Sequence, residues 1–262
     1  MSGKFQDDAL VFYDLTNKRG GHLSFSPHCV KTVVDLKLLG ITKHTHERLT
    51  FVQVRNDLAK KVSDDVTVPT LKIPDGSWVV DSFKIAEWLD KNHPEGAKIF
   101  GGSEEGKRVA AFVNTYAKNF LGNDIGALSK PHIAPLLDEE SREYFINVKN
   151  GKDQFEELSS ASPAQRKEHI NSLIRGLAPI EAMLAAKPRK DNFSRPTPNW
   201  LAGGPEPTHA DACLFGWYVF SRADPSACKA VWESEWLPEV GKWVRAMLEW
   251  CGPDIVGEFV AA

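Results

Sequence analysis

Two short stretches hold residues able to do chemistry. The first is Ser24-Phe25-Ser26-Pro27-His28-Cys29. Pro27 suits the first position of a helix and Ser26 suits its cap. The positive end of that helix favours an anion, and a serine hydroxyl can donate a hydrogen bond to one. The second stretch runs from Val66 to Ser82 and reads strand, tight turn, strand, helix start, with Pro74-Asp75-Gly76 as the turn. Pro69 cannot donate to a strand ladder, so it belongs at an edge, a bulge or a functional site. The Val68-Pro69 bond is a candidate for the cis form. A cis bond there turns the Val68 N–H and C=O outward, where an extended peptide can pair with them. Asp81-Ser82 opens a helix, whose N-terminus suits a carboxylate, while the Asp81 side chain suits an amine. Together these groups recognise a short peptide with a free amino acid end. The alternative is an edge hairpin with a turn proline and an ordinary cap.

The elements that must position these residues follow from hydrophobic patterning. Ala9 to Leu15 reads as a buried strand. A helix starts at Pro27, buries Val30, Val33, Val34, Leu36 and Leu39, and ends at Gly40. The segment HTHERLTFVQV, residues 44–54, carries Leu49, Phe51, Val52 and Val54 and reads as a second strand, and the polar segment RNDLAKKVSDD as a short helix or loop. The hairpin and a helix from Asp81-Ser82 complete the half. A helical connection makes the first two strands parallel, with a right-handed crossover. The result is a mixed four-stranded sheet with helices, the thioredoxin-like arrangement.

Helix signals dominate after His93-Pro94-Glu95-Gly96. Helices are expected over Arg108 to Leu121, Glu139 to Val148 and Trp236 to Trp250. Ser162-Pro163-Ala164-Gln165 is a capping box that opens a long helix, which Pro179 should kink. Thr208-His209-Ala210-Asp211 is a second box, before the apolar run ACLFGWYVF, read as a central buried helix. Residues 188–207 are rich in turn formers and read as an exposed loop. The domains expected are 1–93, a linker at 94–106, and an all-helical bundle at 107–262.

The chain has 262 residues and a net charge of −3, so there is no basic footprint for nucleic acid. The longest uncharged apolar run is too short to span a bilayer. No secretory signal is visible at the N-terminus. The four cysteines show no metal-ligand spacing and read as free thiols in a reducing, cytosolic compartment.

Ser26-Pro27-His28-Cys29 stands where a thioredoxin or glutaredoxin carries Cys-x-x-Cys, with the leading Cys replaced by Ser. With Val68-Pro69, Asp81-Ser82 and the Thr208-to-Asp211 box, the chain resembles the glutathione transferases of the serine type. Within them it is most similar to the fungal-specific class A transferases, which are related to bacterial lignin β-etherases. Trp78 to Ser82 and the Ser24 hydroxyl carry that finer likeness.

The resemblance implies glutathione as cosubstrate, no metal, and a homodimer. It gives Ser26 as the thiolate stabiliser, with Ser24 as the alternate donor. Val68, Pro69, Asp81 and Ser82 hold the peptide and the γ-glutamyl end. LAKKVSDDV replaces the usual Asn-Pro segment, so no residue is carried over for the glycine end. Phe25, Phe112, Tyr116, Phe120 and Trp217 are candidate walls for a hydrophobic, aromatic acceptor, although each is individually more suited to packing. Two other functions stand beside the transferase: a carrier of aromatic molecules, and a thiol oxidoreductase using Cys29. Ser26 argues against the last.

Overall fold

The computed structural model describes residues 7–186 and 199–260. Its first unit is a four-stranded sheet in the order β2-β1-β3-β4, with β1 at Val11–Leu15, β2 at Thr45–Leu49, β3 at Thr70–Lys72 and β4 at Trp78–Val80. β1 runs parallel to β2 and antiparallel to β3, and β3 pairs antiparallel with β4. Phe12 and Asp14 face inward from β1; the buried Asp14 carboxylate accepts from the Leu15 amide and meets His46 Nε2 at 3.1 Å. α1, Pro27–Leu38, connects β1 to β2, and α3, Ser82–Asn92, follows β4.

One expectation is corrected here. The first half of the expected 44–54 segment is the second strand, Thr45–Leu49, but its second half is not: Phe51 begins a helix, α2, Phe51–Gln53, which widens into a π-turn over Val54–Leu58. The cause is Thr50. Its hydroxyl accepts from the Gln53 amide at 3.3 Å while Gln53 Oε1 accepts from the Thr50 amide at 3.1 Å. That reciprocal box starts a helix. Phe51, Val54 and Leu58 then share one buried face at helical spacing.

The second unit is helical. α4 spans Glu104–Tyr116, capped by Ser103, and continues through a π-turn at Ala117–Leu121 into α5, Gly122–Ile133. α6, Glu139–Glu143, likewise runs into a π-turn over Tyr144–Lys149, and α7 spans Lys152–Ser159. α8, Pro163–Ala185, opens on the expected Ser162–Gln165 box and passes through Pro179 as one element. Of the expected 188–207 loop, residues 188–198 lie outside the described residues.

α9, His209–Ser221, opens on the Thr208–Asp211 box and is buried at every position, as expected of a central helix. α10 is Pro225–Trp232, and α11 is Pro238–Val256, starting two residues after the expected Trp236. α9 crosses α1 so closely that a Cβ on Gly216 would fall 2.0 Å from the Pro27 carbonyl oxygen. Only glycine permits this approach. Among the described residues no helix is long and apolar enough to cross a membrane.

Candidate functional site

The N-terminus of α1 meets the end of β1, and Ser26 is its cap. The Ser26 oxygen accepts from the Cys29 amide at 3.3 Å. An oxygen that accepts in this way keeps its own proton to donate. Ser24 differs. Its hydroxyl is buried and, among the described residues, has no hydrogen-bond partner. Its backbone is clamped by the chain's end: the Ser24 amide donates to Glu258 O at 2.7 Å, and the Val260 amide donates to Ser24 O at 3.0 Å. Sequence patterning gave no sign of this clamp, because a single bridge has no periodicity.

Cys29 is fully buried, and burial followed by the neighbouring Asp14 charge pushes its thiol well above the usual range. A thiol so held is inert as a nucleophile. His28 lies edge-on to the Trp217 ring, with centroids 5.8 Å apart. Burial, then the charges of Lys31 and Lys118, lower the imidazole to about 3, so it is neutral near pH 7. Its Nδ1 accepts from Lys31 Nζ at 3.3 Å, and the same ammonium donates to Asn114 Oδ1 at 2.7 Å. Lys31 is only 1% exposed, and burial lowers its pKa. Lys31 and Asn114 tie the sheet unit to α4. Sequence reading missed both, since a lysine on an otherwise apolar face gives only its position.

The Val68-Pro69 peptide is cis. Among the described residues the Val68 N–H and C=O make no intramolecular hydrogen bond. The Asp81 amide donates to Pro69 O at 3.3 Å, which joins the proline to the start of α3. Asp81 has φ of 89°, a conformation that costs a non-glycine residue energy and collects at functional sites. Its Oδ1 accepts from Phe83 N at 2.9 Å and Lys84 N at 3.1 Å, and among the described residues Oδ2 accepts no hydrogen bond. Ser82 is buried directly behind it. The Asp81 charge is felt at both His28 and Lys31, so the first turns of α1 and α3 face one site.

The aromatic candidates divide. Trp217 is buried beside His28 and presses on α5, where a Cβ on Gly122 would lie 2.8 Å from its Cη2 atom. Phe25 is buried and packs on Phe51. Phe112, Tyr116 and Phe120 stack in a ladder along α4, with centroids 5.5 and 5.0 Å apart. The Tyr116 hydroxyl donates to Gly176 O on α8 at 2.6 Å, and the two phenylalanines are 53% and 65% exposed. Asn114, two residues from Phe112 and from Tyr116, points at Lys31 instead. Residues two apart lie on opposite sides of a helix, so the ladder faces away from His28. The structure brings Trp217 to the site but does not bring these three there.

A family model for the glutathione S-transferase N-terminal domain matches residues 25–92, and one for the C-terminal domain matches residues 109–249. No curated protein sequence matches the chain. Among solved structures, a glutathione S-transferase of Ceriporiopsis subvermispora in complex with glutathione is similar, with a TM-score of 0.72, 17% identity, and coverage of 94% of this chain and 99% of that one. The glutathione transferase GSTFuA3 of Phanerochaete chrysosporium has a TM-score of 0.68 and 20% identity, covering 89% of this chain and 96% of its own. A bacterial glutathione S-transferase, from Rhodospirillum rubrum, has a TM-score of 0.61 and 18% identity, covering 95% and 91%. The two family matches cover most of the chain in the order of its two units, and the chain belongs to the glutathione S-transferase family.

Proposed function

We propose that the chain is a serine-type glutathione transferase that joins glutathione to aromatic electrophiles, phenolic or aryl ether compounds among them, in the manner of the fungal class A and β-etherase groups. One observation carries the reading. Two buried hydroxyls, Ser24 and Ser26, stand at the N-terminus of α1, and both have a proton to donate. A thiol with a pKa of ~8.5 is mostly protonated at neutral pH. A hydroxyl donor and a helix N-terminus both favour the thiolate. The thiolate sulfur then forms a bond to the electrophilic carbon, and the leaving group departs with the electron pair.

Val68 pairs with the glutathione backbone, Asp81 Oδ2 takes the γ-glutamyl ammonium, and the Ser82 end of α3 takes its carboxylate. The working protein is a cytosolic homodimer, divided at residues 1–93, 94–106 and 107–262. The oxidoreductase alternative would need a reactive Cys29, and burial opposes that. The test is a glutathione titration combined with a conjugation assay on an aryl halide and an aryl ether. Product formation with glutathione affinity in the millimolar range or tighter is expected. Binding without turnover would identify a carrier, and no binding would end the transferase reading.

A further inference from the structure

The side of α1 that carries His28 gathers cations. Lys31 stands there, bonded to Asn114. Lys118 follows Asn114 by one turn on the same face of the α4 segment, and its charge reaches both His28 and Lys31. Lys149, at the end of the π-turn after α6, places its Nζ 5.5 Å from the Phe51 ring. Arg55, one turn beyond Phe51, donates to the Val66 and Asp64 carbonyls, just ahead of Val68. Burial, then repulsion from Arg55 and Lys130, lowers the Lys149 ammonium.

Like charges held together destabilise a fold unless something offsets them. The lysines in ion pairs, Lys98, Lys107, Lys152 and Lys242, lie elsewhere. Among the described residues Lys118, Lys130 and Lys149 have no carboxylate partner. The acids felt at this cluster are Asp81 and Asp35, and Asp35 is already engaged by His209 at 2.9 Å. Bound glutathione would offset part of this charge and leave the cluster positive. The chain as a whole is slightly acidic, so the clustering is local.

We propose that the acceptor held against bound glutathione is an organic anion, an aromatic compound carrying a carboxylate, with Lys118 and Lys149 as its counter-charge and Trp217 and Phe51 beside its ring. The inference rests on the transferase reading for where the acceptor sits.

The test uses a matched pair of probes, 1-naphthoate and the neutral 1-naphthamide. Binding to the full chain is followed by tryptophan fluorescence, with and without saturating glutathione. The naphthoate should bind about tenfold more tightly than the amide, and the advantage should shrink as salt is raised, because the contacts are near the surface. In the double variant Lys118→Gln, Lys149→Gln the two probes should bind within about twofold of each other, with glutathione affinity nearly unchanged. Equal binding of the two probes by the wild type would overturn the proposal. So would a preference that survives in the double variant, or failure of both probes to bind. Glutathione is titrated separately, so its failure to bind would sink the transferase reading while the probe preference is still read directly.

Discussion

At the residue scale the structure separates two serines that the sequence left as alternates. Ser26 is an engaged cap, whereas the Ser24 hydroxyl has no bond to lose. Ser26→Ala should therefore cost about 1 kcal/mol of stability, the usual value of a cap, seen as a shift in the urea midpoint. Ser24→Ala should leave that midpoint almost in place. The ultraviolet absorbance of bound thiolate against pH then reports which hydroxyl lowers the glutathione pKa. A rise in both variants means shared donation, and a rise in neither assigns the stabilisation to the backbone amides of α1. Asp81 calls for a subtler change than removal, because its Oδ1 also caps α3. Asp81→Asn keeps an oxygen for the cap and removes the charge. It should weaken glutathione binding by about 1.5–3 kcal/mol, the range for a lost charge-assisted bond. Calorimetric affinity within twofold of the wild type would remove Asp81 from the ammonium site.

At the element scale, α1 is fastened to α9 by an ion pair between His209 and Asp35, both 0% exposed. Burial works against a charge on His209, but the Asp35 carboxylate outweighs it and raises the imidazole to about 10. Burial also raises the Asp35 carboxyl, so the pair as a whole holds on to a proton. Breaking such a pair strands a buried charge or dipole, and Asp35→Asn should cost about 3–5 kcal/mol in urea unfolding at neutral pH. The double variant Asp35→Leu, His209→Phe removes both polar groups and should cost less than the single change. The sign of the pH dependence follows from the raised pKa. The His209 contribution is fully present below its ordinary pKa of ~6.5 and is lost as pH rises through about 10. Wild-type stability should fall across that window more steeply than that of the double variant. Parallel curves would show that the pair does not hold the proton.

The same elements show what could be read without coordinates. Both capping boxes, the Pro27 helix start and the hairpin follow from local chemistry, because a cap or a turn is specified by three or four neighbouring residues. The Phe51 segment misleads because apolar residues at 49, 51, 52 and 54 suit a strand, and the deciding Thr50–Gln53 box has Gln in place of the more familiar Glu. The π-turns at 54–58, 117–121 and 144–149 shift helical phase through tertiary packing and leave no local signature. Of the candidate site, the serines, the cis-proline loop and Asp81 were legible as motifs. Lys31, Asn114 and the clamp on Ser24 were not, nor was the pairing of His209 with Asp35 that fastens α1, because each depends on a partner dozens of residues or more away.

At the scale of the whole molecule, the aromatic ladder on α4 remains without a role inside one chain. Phe112 and Phe120 are more than half exposed, and stacking with Tyr116 makes them one continuous apolar strip. Single exposed apolar residues are ordinary, but a contiguous strip marks a contact surface. Trp236, in the turn between α10 and α11, is also exposed, at 73%, but among the described residues no ring contact joins it to the ladder. A second copy of the chain is the natural occupant under the homodimer reading, since a two-fold axis lays the same strip against itself. Tyr116 is held by Gly176 on α8, so the strip is rigid before association, which lowers the entropy lost on pairing. The wild type should therefore scatter light as two chains at micromolar concentration. Phe112→Lys with Phe120→Lys should give a single-chain mass with an unchanged circular dichroism spectrum, and Trp236→Lys should leave the dimer intact. A monomeric wild type would reject the dimer. A dimer that survives both lysines would place its interface elsewhere and leave the ladder unexplained.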